Sequence, residues 1–444
     1  MSIEILLIAF FFLILYGVSN RLSKKNDPFS PVKLISFLYL IRNVPYIFFS
    51  AIDNDFFNWR VSEYFNKFAH IALEDAFFKY SVIQTVAFVL LLIGLNFVKT
   101  PKANFSKARL RLNYHGLKYA VNFCFIIGLV GFAVFLLNVG GLSFLLNNLS
   151  NRVELQSGQY ALQLRPLMGI ATVFSIVLIR LGGFKKKDKI RFYFFLTISV
   201  LVFSATGGRK DSLYLIIMSF AAYTYYVNKI TFKSVGKLKL LLVGSFVFIY
   251  VFVIPLVRSE DGFKKILEGE VSVVDSLGIP DFFSSISYTY IDVFTTNHFS
   301  YDNTWNFSTL KTIPSNFLDR KEAYLRPPMD EGTYFVTSID RGGNYKPLMP
   351  RHRLREFSFP IENMGFAYAN ALLLGVVIFF FLQGVILSFC YKQFVVSHMN
   401  PFWFYIYLYS AFNFNFSSLR LMNTIMLFIL LGIFYLVYKF FKVK

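Results

Sequence analysis

Leu240 to Asp261 reads LLLVGSFVFIYVFVIPLVRSED: eighteen residues without a charge, then Arg258, Glu260 and Asp261 in quick succession. A bilayer's hydrocarbon core takes about 20 helical residues, with roughly 17 as the lower limit. The run is therefore long enough to cross a membrane, and the charges mark where it leaves. From Arg258 to Asn363 the chain stays polar for 106 residues, with 12 Lys/Arg and 15 Asp/Glu. The rest of the chain holds 33 Lys/Arg and only 10 Asp/Glu. An evenly charged segment set into a basic, apolar chain marks one face of a membrane protein.

Working outward from Leu240–Val257, ten further apolar runs can be read: Ile3–Ser19, Val32–Ile52, Ser81–Val98, Tyr119–Val139, Leu164–Leu181, Ile190–Thr206, Leu213–Val227, Gly365–Phe389, Pro401–Phe416 and Leu421–Val437. The expected fold is an all-α polytopic membrane protein of about eleven transmembrane helices, with a large, partly helical loop near the C-terminus. Residues 1–257 would hold spans one to eight, 258–364 the loop, and 365–444 spans nine to eleven.

The connections alternate in charge. Arg21/Lys24/Lys25, Lys99–Lys118, Arg180–Arg191, Lys229–Lys239, Lys392 and the tail Lys439/Lys442/Lys444 are basic, with only Asp27 and Asp188 as acids among them. The alternate connections, Asp53–Asp75, Gly140–Tyr160, Gly207–Asp211 and the large segment, are mixed or acidic. Because cytoplasmic loops carry the Lys/Arg excess, eleven spans put the N-terminus in the periplasm and the C-terminus in the cytoplasm.

Composition excludes other classes. Charged residues make up 16% of the chain, against about 25% in soluble domains. The net charge of +20 lies in short connections between spans, so no nucleic-acid partner follows from it. Cys124 and Cys390 fall inside apparent spans, so no disulfide framework is implied. Ile3–Gly17 is followed by Arg21, Lys24 and Lys25 rather than by a small-residue cleavage site, so no cleavable signal is expected.

The outer arginines are the strongest chemical signal: Arg152, Arg209, Arg258, Arg320, Arg326, Arg341, Arg351, Arg353, Arg355 and Arg420. They run against the usual charge bias, and guanidinium grips phosphate bidentately while keeping its charge. Pairing with acids such as Glu260, Asp261 or Glu356 is the alternative explanation, and for Arg341–Arg355 the two readings weigh about equally. Arg209 and Arg258 stand at span ends, where polar groups tend to be functional. Gly207-Gly208 before Arg209 allows a sharp turn or a close approach to an anion, or simply a hairpin between two helices.

Arg42 lies inside span two and needs a partner in the bundle. Asp53-Asn54-Asp55 is a short acidic motif in an outer loop, where a surface role suffices. His352, flanked by Arg351 and Arg353, is a candidate general base, with Glu362 and Glu260 competing. No outer histidine has metal-ligand spacing to another His, Cys or acid, so no metal is expected. Phe282–Tyr301 is rich in Tyr, Phe, Ser and Thr, which suits a surface stacking on sugar rings.

Several motifs together resemble the O-antigen or oligosaccharide repeat-unit polymerases of bacterial inner membranes. Gly140-Gly141-Leu142-Ser143 through Asn151-Arg152-Val153-Glu154 and Gly158-Gln159-Tyr160 is similar to their loop after an early span. Ser204-Ala205-Thr206-Gly207-Gly208-Arg209 resembles their short turn ending in arginine. Thr312-Ile313-Pro314 within the large segment resembles part of their main periplasmic loop, and Asn363-Met364-Gly365-Phe366-Ala367-Tyr368-Ala369-Asn370 the run with which that loop ends. Lys210-Asp211 departs from the pattern, since small apolar residues are more usual there.

The resemblance implies glycosyl transfer between undecaprenyl-pyrophosphate-linked oligosaccharides at the periplasmic face, with membrane lipid and a chain-length regulator as partners and no cofactor. In that reading Arg209, Arg258, His352 and Glu362 are catalytic, while Arg152, Arg341, Arg351 and Arg420 bind substrate. A ligase using the same donor shares this logic. A polyprenol-sugar glycosyltransferase would instead depend on Asp53 or Asp55. A flippase or exporter would show repeats and a binding site near the midplane, whereas no repeat is visible, the polar groups concentrate on the outer face and one loop is very large.

Overall fold

The protein's computed structural model describes residues 3–22, 27, 29–52, 73–101, 110, 112–147, 160–206, 209–228, 268, 289–314, 331–340 and 361–442. Those residues are mostly helical and include no strand. The helices are α1 (Ile3–Leu22), α2 (Pro31–Ile52), α3 (Leu73–Phe97), α4 (Tyr114–Asn138), α5 (Gly141–Asn147), α6 (Pro166–Leu181), α7 (Lys186–Thr206), α8 (Arg209–Tyr226), α9 (Thr289–His298), α10 (Glu331–Asp340), α11 (Asn363–Val396), α12 (Pro401–Asn413) and α13 (Ser418–Lys442).

Seven described segments are long and apolar enough to cross a membrane: Ile3–Arg21, Asp75–Phe97, Tyr114–Asn138, Ala161–Leu181, Lys186–Thr206, Asn363–Val396 and Ser418–Lys442. The expected second, seventh and tenth spans are also helices: α2 has 22 residues and holds the apolar stretch Pro31–Ile41, α8 opens on three charged residues, and α12 is 13 residues long. The eighth, Leu240–Val257, lies outside the described residues. Large apolar side chains such as Leu7, Ile14, Ile126, Leu137, Leu374 and Leu436 point away from the protein, as helices in hydrocarbon require. This is a multi-pass membrane protein.

The chain divides into two compact units. The first comprises Met1–Ala103, Pro280–Gln393 and Asn413–Ile425; the second comprises Asn104–Ile279, Phe394–Phe412 and Met426–Lys444.

In the second unit α6 is the innermost helix, with Leu167 through Ile179 all buried. It packs against α4, α7 and α8. Small residues allow the approach: a Cβ at Gly128 of α4 would lie 2.5 Å from the Met168 side chain. With no water to satisfy them, buried hydroxyls pair inside the bundle. Thr172 Oγ1 meets Ser199 Oγ at 2.9 Å and also donates to the Met168 carbonyl.

In the first unit α3 and α11 touch through their backbones. A Cβ at Gly384 would fall 2.5 Å from the Leu91 carbonyl oxygen. The Tyr39 ring stacks on Phe88 at 5.1 Å, with Phe12 edge-on to Phe88.

Hydrogen bonds sort the helix ends into two groups within each unit. In the first unit, Tyr391 near the end of α11 donates to Asp27 before α2. At the opposite helix ends, Asn297 of α9 donates to the Ala76 carbonyl at the start of α3. In the second, Tyr438 near the end of α13 accepts from Asn113 N, and Tyr114 donates to Asp188. Arg180 reaches the last carbonyl of α8, that of Tyr226, at 3.2 Å. These last contacts gather the basic connections read from the sequence, as alternating helix directions demand.

α11 is interrupted. Ala371 (φ −153, ψ 26) and Leu372 (φ 51, ψ −139) leave helical geometry, so carbonyls just before the break lose their helical partners. The Ala369 carbonyl instead accepts from Trp305 N at 2.8 Å, and Asn370 Oδ1 accepts from Phe307 N at 2.7 Å. Asn306 and Phe307 also have positive φ, at 47° and 59°. Three non-glycine residues in the left-handed region, on two hydrogen-bonded segments, amount to locally stored strain.

The expected sugar-stacking face is not borne by α9. Ile291, Val293, Phe294 and Phe299 are buried. Phe294 meets Phe335 edge-on at 5.1 Å, and Phe299 meets Trp305 at 5.2 Å. Aromatic residues in a segment this small gain more by packing on one another than by facing water. Tyr301, just beyond, remains exposed.

Candidate functional site

Most of the arginines singled out from sequence, Arg152, Arg258, Arg341 and Arg351 among them, lie outside the described residues, as do His352 and Asp53–Asp55. Arg209 opens α8, and of it only the backbone placement is described. Glu362 and Arg420 are described, and both belong to the first unit.

The described chemistry nearest Arg209 is an arginine that sequence reading passed over. Arg165 immediately precedes Pro166, whose fixed φ and missing N–H suit the first position of α6. Its Nη1 donates to Thr206 Oγ1 at 2.6 Å, and its Nη2 meets Asp211 Oδ2 at 2.8 Å. Its Cζ sits 5.0 Å from the centre of the Phe203 ring, within reach of a cation–π attraction. One guanidinium thus holds the last residue of α7 and the first turn of α8, with residues 207–210 between the two grips.

The side chain of Arg165 is 16% exposed and that of Asp211 is 43% exposed. The Arg165 Nε is buried and, among the described residues, has no hydrogen-bond partner. The acid at position 211, a departure from the resembled family's pattern, therefore has a definite partner in this chain.

In the first unit a second polar cluster joins the large segment to the α12–α13 connection. Glu331, fully buried at the start of α10, accepts from Ser418 N at 2.7 Å and so caps the start of α13. A carboxylate there satisfies an orphan N–H and complements the helix dipole. Glu362 N donates to Asp292 Oδ1 at 3.2 Å, and Glu362 Oε2 accepts from Asn415 Nδ2 at 3.4 Å. Asn363 Oδ1 accepts from Phe416 N at 3.3 Å, while its Nδ2 donates to Gln383. Arg420 stands in the first turn of α13, two residues beyond Ser418.

His298, at the end of α9, lies among Phe294, Phe299 and Phe335. Burial holds its pKa below the ordinary 6.5, so it is neutral at pH 7. Among the described residues no group of three or more His, Cys, Asp or Glu side chains could hold a metal.

The signal that could have found Arg165 was present. It is a charge inside the first turn of an apolar run, and such a charge needs a partner. Asp211, the one acid of the Gly207–Asp211 connection, was the available one.

Comparison with known proteins adds one match. The family model described as "Putative O-antigen polymerase" matches residues 2–267. No curated protein and no solved structure matches the chain. The matched stretch contains Arg152, Arg165, Arg209 and Arg258, and spans well over half of the sequence. By that extent, and with a helical multi-pass architecture to agree with it, the chain belongs to the O-antigen polymerase family.

Proposed function

We propose that this protein joins undecaprenyl-pyrophosphate-linked oligosaccharide repeat units into a surface polysaccharide at the periplasmic face of the bacterial inner membrane. The observation that carries the reading is the family match across residues 2–267, which takes in the Gly207-Gly208-Arg209 motif and its neighbours.

The terminal hydroxyl of the incoming unit attacks the anomeric carbon of the growing glycan. The bond from that carbon to the pyrophosphate oxygen breaks, and the lipid pyrophosphate leaves with the bonding pair. The acceptor's proton passes to His352 or Glu362. Negative charge grows on the leaving group during the step, so fixed cations nearby lower the barrier. Arg209 and Arg258 serve that role, while Arg152, Arg341, Arg351 and Arg420 hold the two lipid-linked substrates. Arg209 gains from opening a helix, where backbone N–H groups add their own attraction for an anion. Arginines supplying this charge make a metal unnecessary.

The topology that goes with this reading has eleven spans, with the N-terminus periplasmic and the C-terminus cytoplasmic. Residues 258–364 then form the periplasmic loop between bundles 1–257 and 365–444. Hydrogen bonds that Glu331 and Asn363 accept from the α12–α13 connection support placing both on one face.

A gel profile of surface glycan tests the function. Cells lacking this protein should carry glycan capped at a single repeat unit. Wild type should restore the ladder and Arg209→Ala should not. Loss of even the single unit would point instead to a ligase or to an earlier step.

A further inference from the structure

Arg165 is more than an internal ion pair, because of what would remain without it. Asp211 is 43% exposed and would stay hydrated. Thr206 keeps its own hydrogen bond to the Val202 carbonyl, at 2.7 Å. Removing the guanidinium therefore leaves no buried charge uncompensated, which is the usual reason such losses unfold proteins. An isolated pair with one partly exposed partner contributes little to stability. Its geometry is nonetheless specific, since it engages α7 through Thr206 and Phe203 and α8 through Asp211.

We propose that Arg165 is a positioning residue: it holds the α7–α8 junction so that Arg209, the first residue of α8, is presented to the anionic part of the substrate. This rests on the polymerase reading for Arg209. Arg165 acts through Arg209, its charge being shared between Asp211 and the Phe203 face. The departure Lys210-Asp211 is then the chain's means of anchoring this junction. A displacement of about 1 Å in a positioned group can cost 10²-fold in rate, so the effect on activity exceeds that on folding.

The test uses the full-length protein in its own membrane, with four variants brought to equal amounts: Arg165→Ala, Arg209→Ala, the double substitution, and the exchange Arg165→Asp with Asp211→Arg. Polymer formed per molecule of protein should fall about 10²-fold in Arg165→Ala. Adding Arg165→Ala to Arg209→Ala should cause no further loss, and the exchange should recover part of the activity. Independent multiplication of the two losses would overturn the proposal, as would full activity in Arg165→Ala.

A second readout needs no polymerisation. Lys210→Cys is labelled with a membrane-impermeant maleimide, with and without Arg165→Ala. A several-fold change in labelling rate is expected. An unchanged rate would overturn the proposal even if Arg165→Ala were too poorly made to assay. An altered rate in a protein whose wild type makes no polymer would keep the junction contact and overturn the polymerase reading alone.

Discussion

The α7–α8 junction in the second unit and the α12–α13 connection in the first are both short links between helices, yet they are held differently. One guanidinium grips both sides of the first, beside a Ser204–Ser212 hydroxyl contact at 3.1 Å and a bond from Ser212 to the Val200 carbonyl. Glu331, Glu362 and Asn363 share the second, each through a separate hydrogen bond to a residue between Asn415 and Ser418. Anchoring that concentrates its one charged contact in a single side chain loses most at that residue. Distributed anchoring weakens by degrees, because each hydrogen bond contributes only about 0.5–1.5 kcal/mol net.

The largest effect that would sharpen this contrast is Arg209→Ala. It should lower polymer formation about 10²–10³-fold with normal amounts of protein in the membrane, as read from glycan ladders and blotting. A full ladder in that variant would remove the reason to treat the junction as functional. Next comes Glu331→Ala, which leaves Ser418 N without its charged acceptor. It should cost about 1.5–3 kcal/mol in thermal unfolding of the detergent-purified protein. Asn415→Ala removes the Glu362 contact and the acceptor of Ser417 N and Oγ, and should cost about 1–3 kcal/mol by the same assay, because Glu331 and Asn363 still hold the connection. If Asn415→Ala unfolded the protein outright, the anchoring would not be distributed at all.

The smallest effect concerns pH. His298 has a folded pKa below its unfolded value of 6.5, so the unfolded chain binds the extra proton first as pH falls. Stability is intact above pH 6.5 and declines as the pH drops from there toward the folded pKa. His298→Phe should flatten that decline in unfolding curves recorded between pH 7.5 and about 5. An identical slope in both proteins would mean that His298 titrates the same way folded and unfolded.

Spans were the most legible feature, because an apolar run as long as a bilayer is thick has few other uses. Ten of the eleven runs coincide with described helices, although α8 opens on three charged residues and α12 has only 13 residues. The polar anchoring was less legible. Asp292, Glu331 and Glu362 come from separate stretches of the large segment, and only the fold brings the last two to the α12–α13 connection. Arg165 was hidden for another reason: it stands where an apolar run starts, and its partner is 46 positions away. The buried face of α9 misled because Phe and Tyr serve equally for stacking on a sugar and for packing a small core.

The break in α11 bears on how the chain is made. The Ala369 carbonyl relies on Trp305 N for the hydrogen bond that a continuous helix would supply, and the Asn370 side chain accepts a second from Phe307 N. Synthesis runs from the N-terminus, so those partners have left the ribosome some sixty residues before the helix that needs them. The Ala369 carbonyl therefore has its partner already made when its own turn is synthesised. Chain order thereby favours the break: the residues that complete it come first, and the turn that needs them follows.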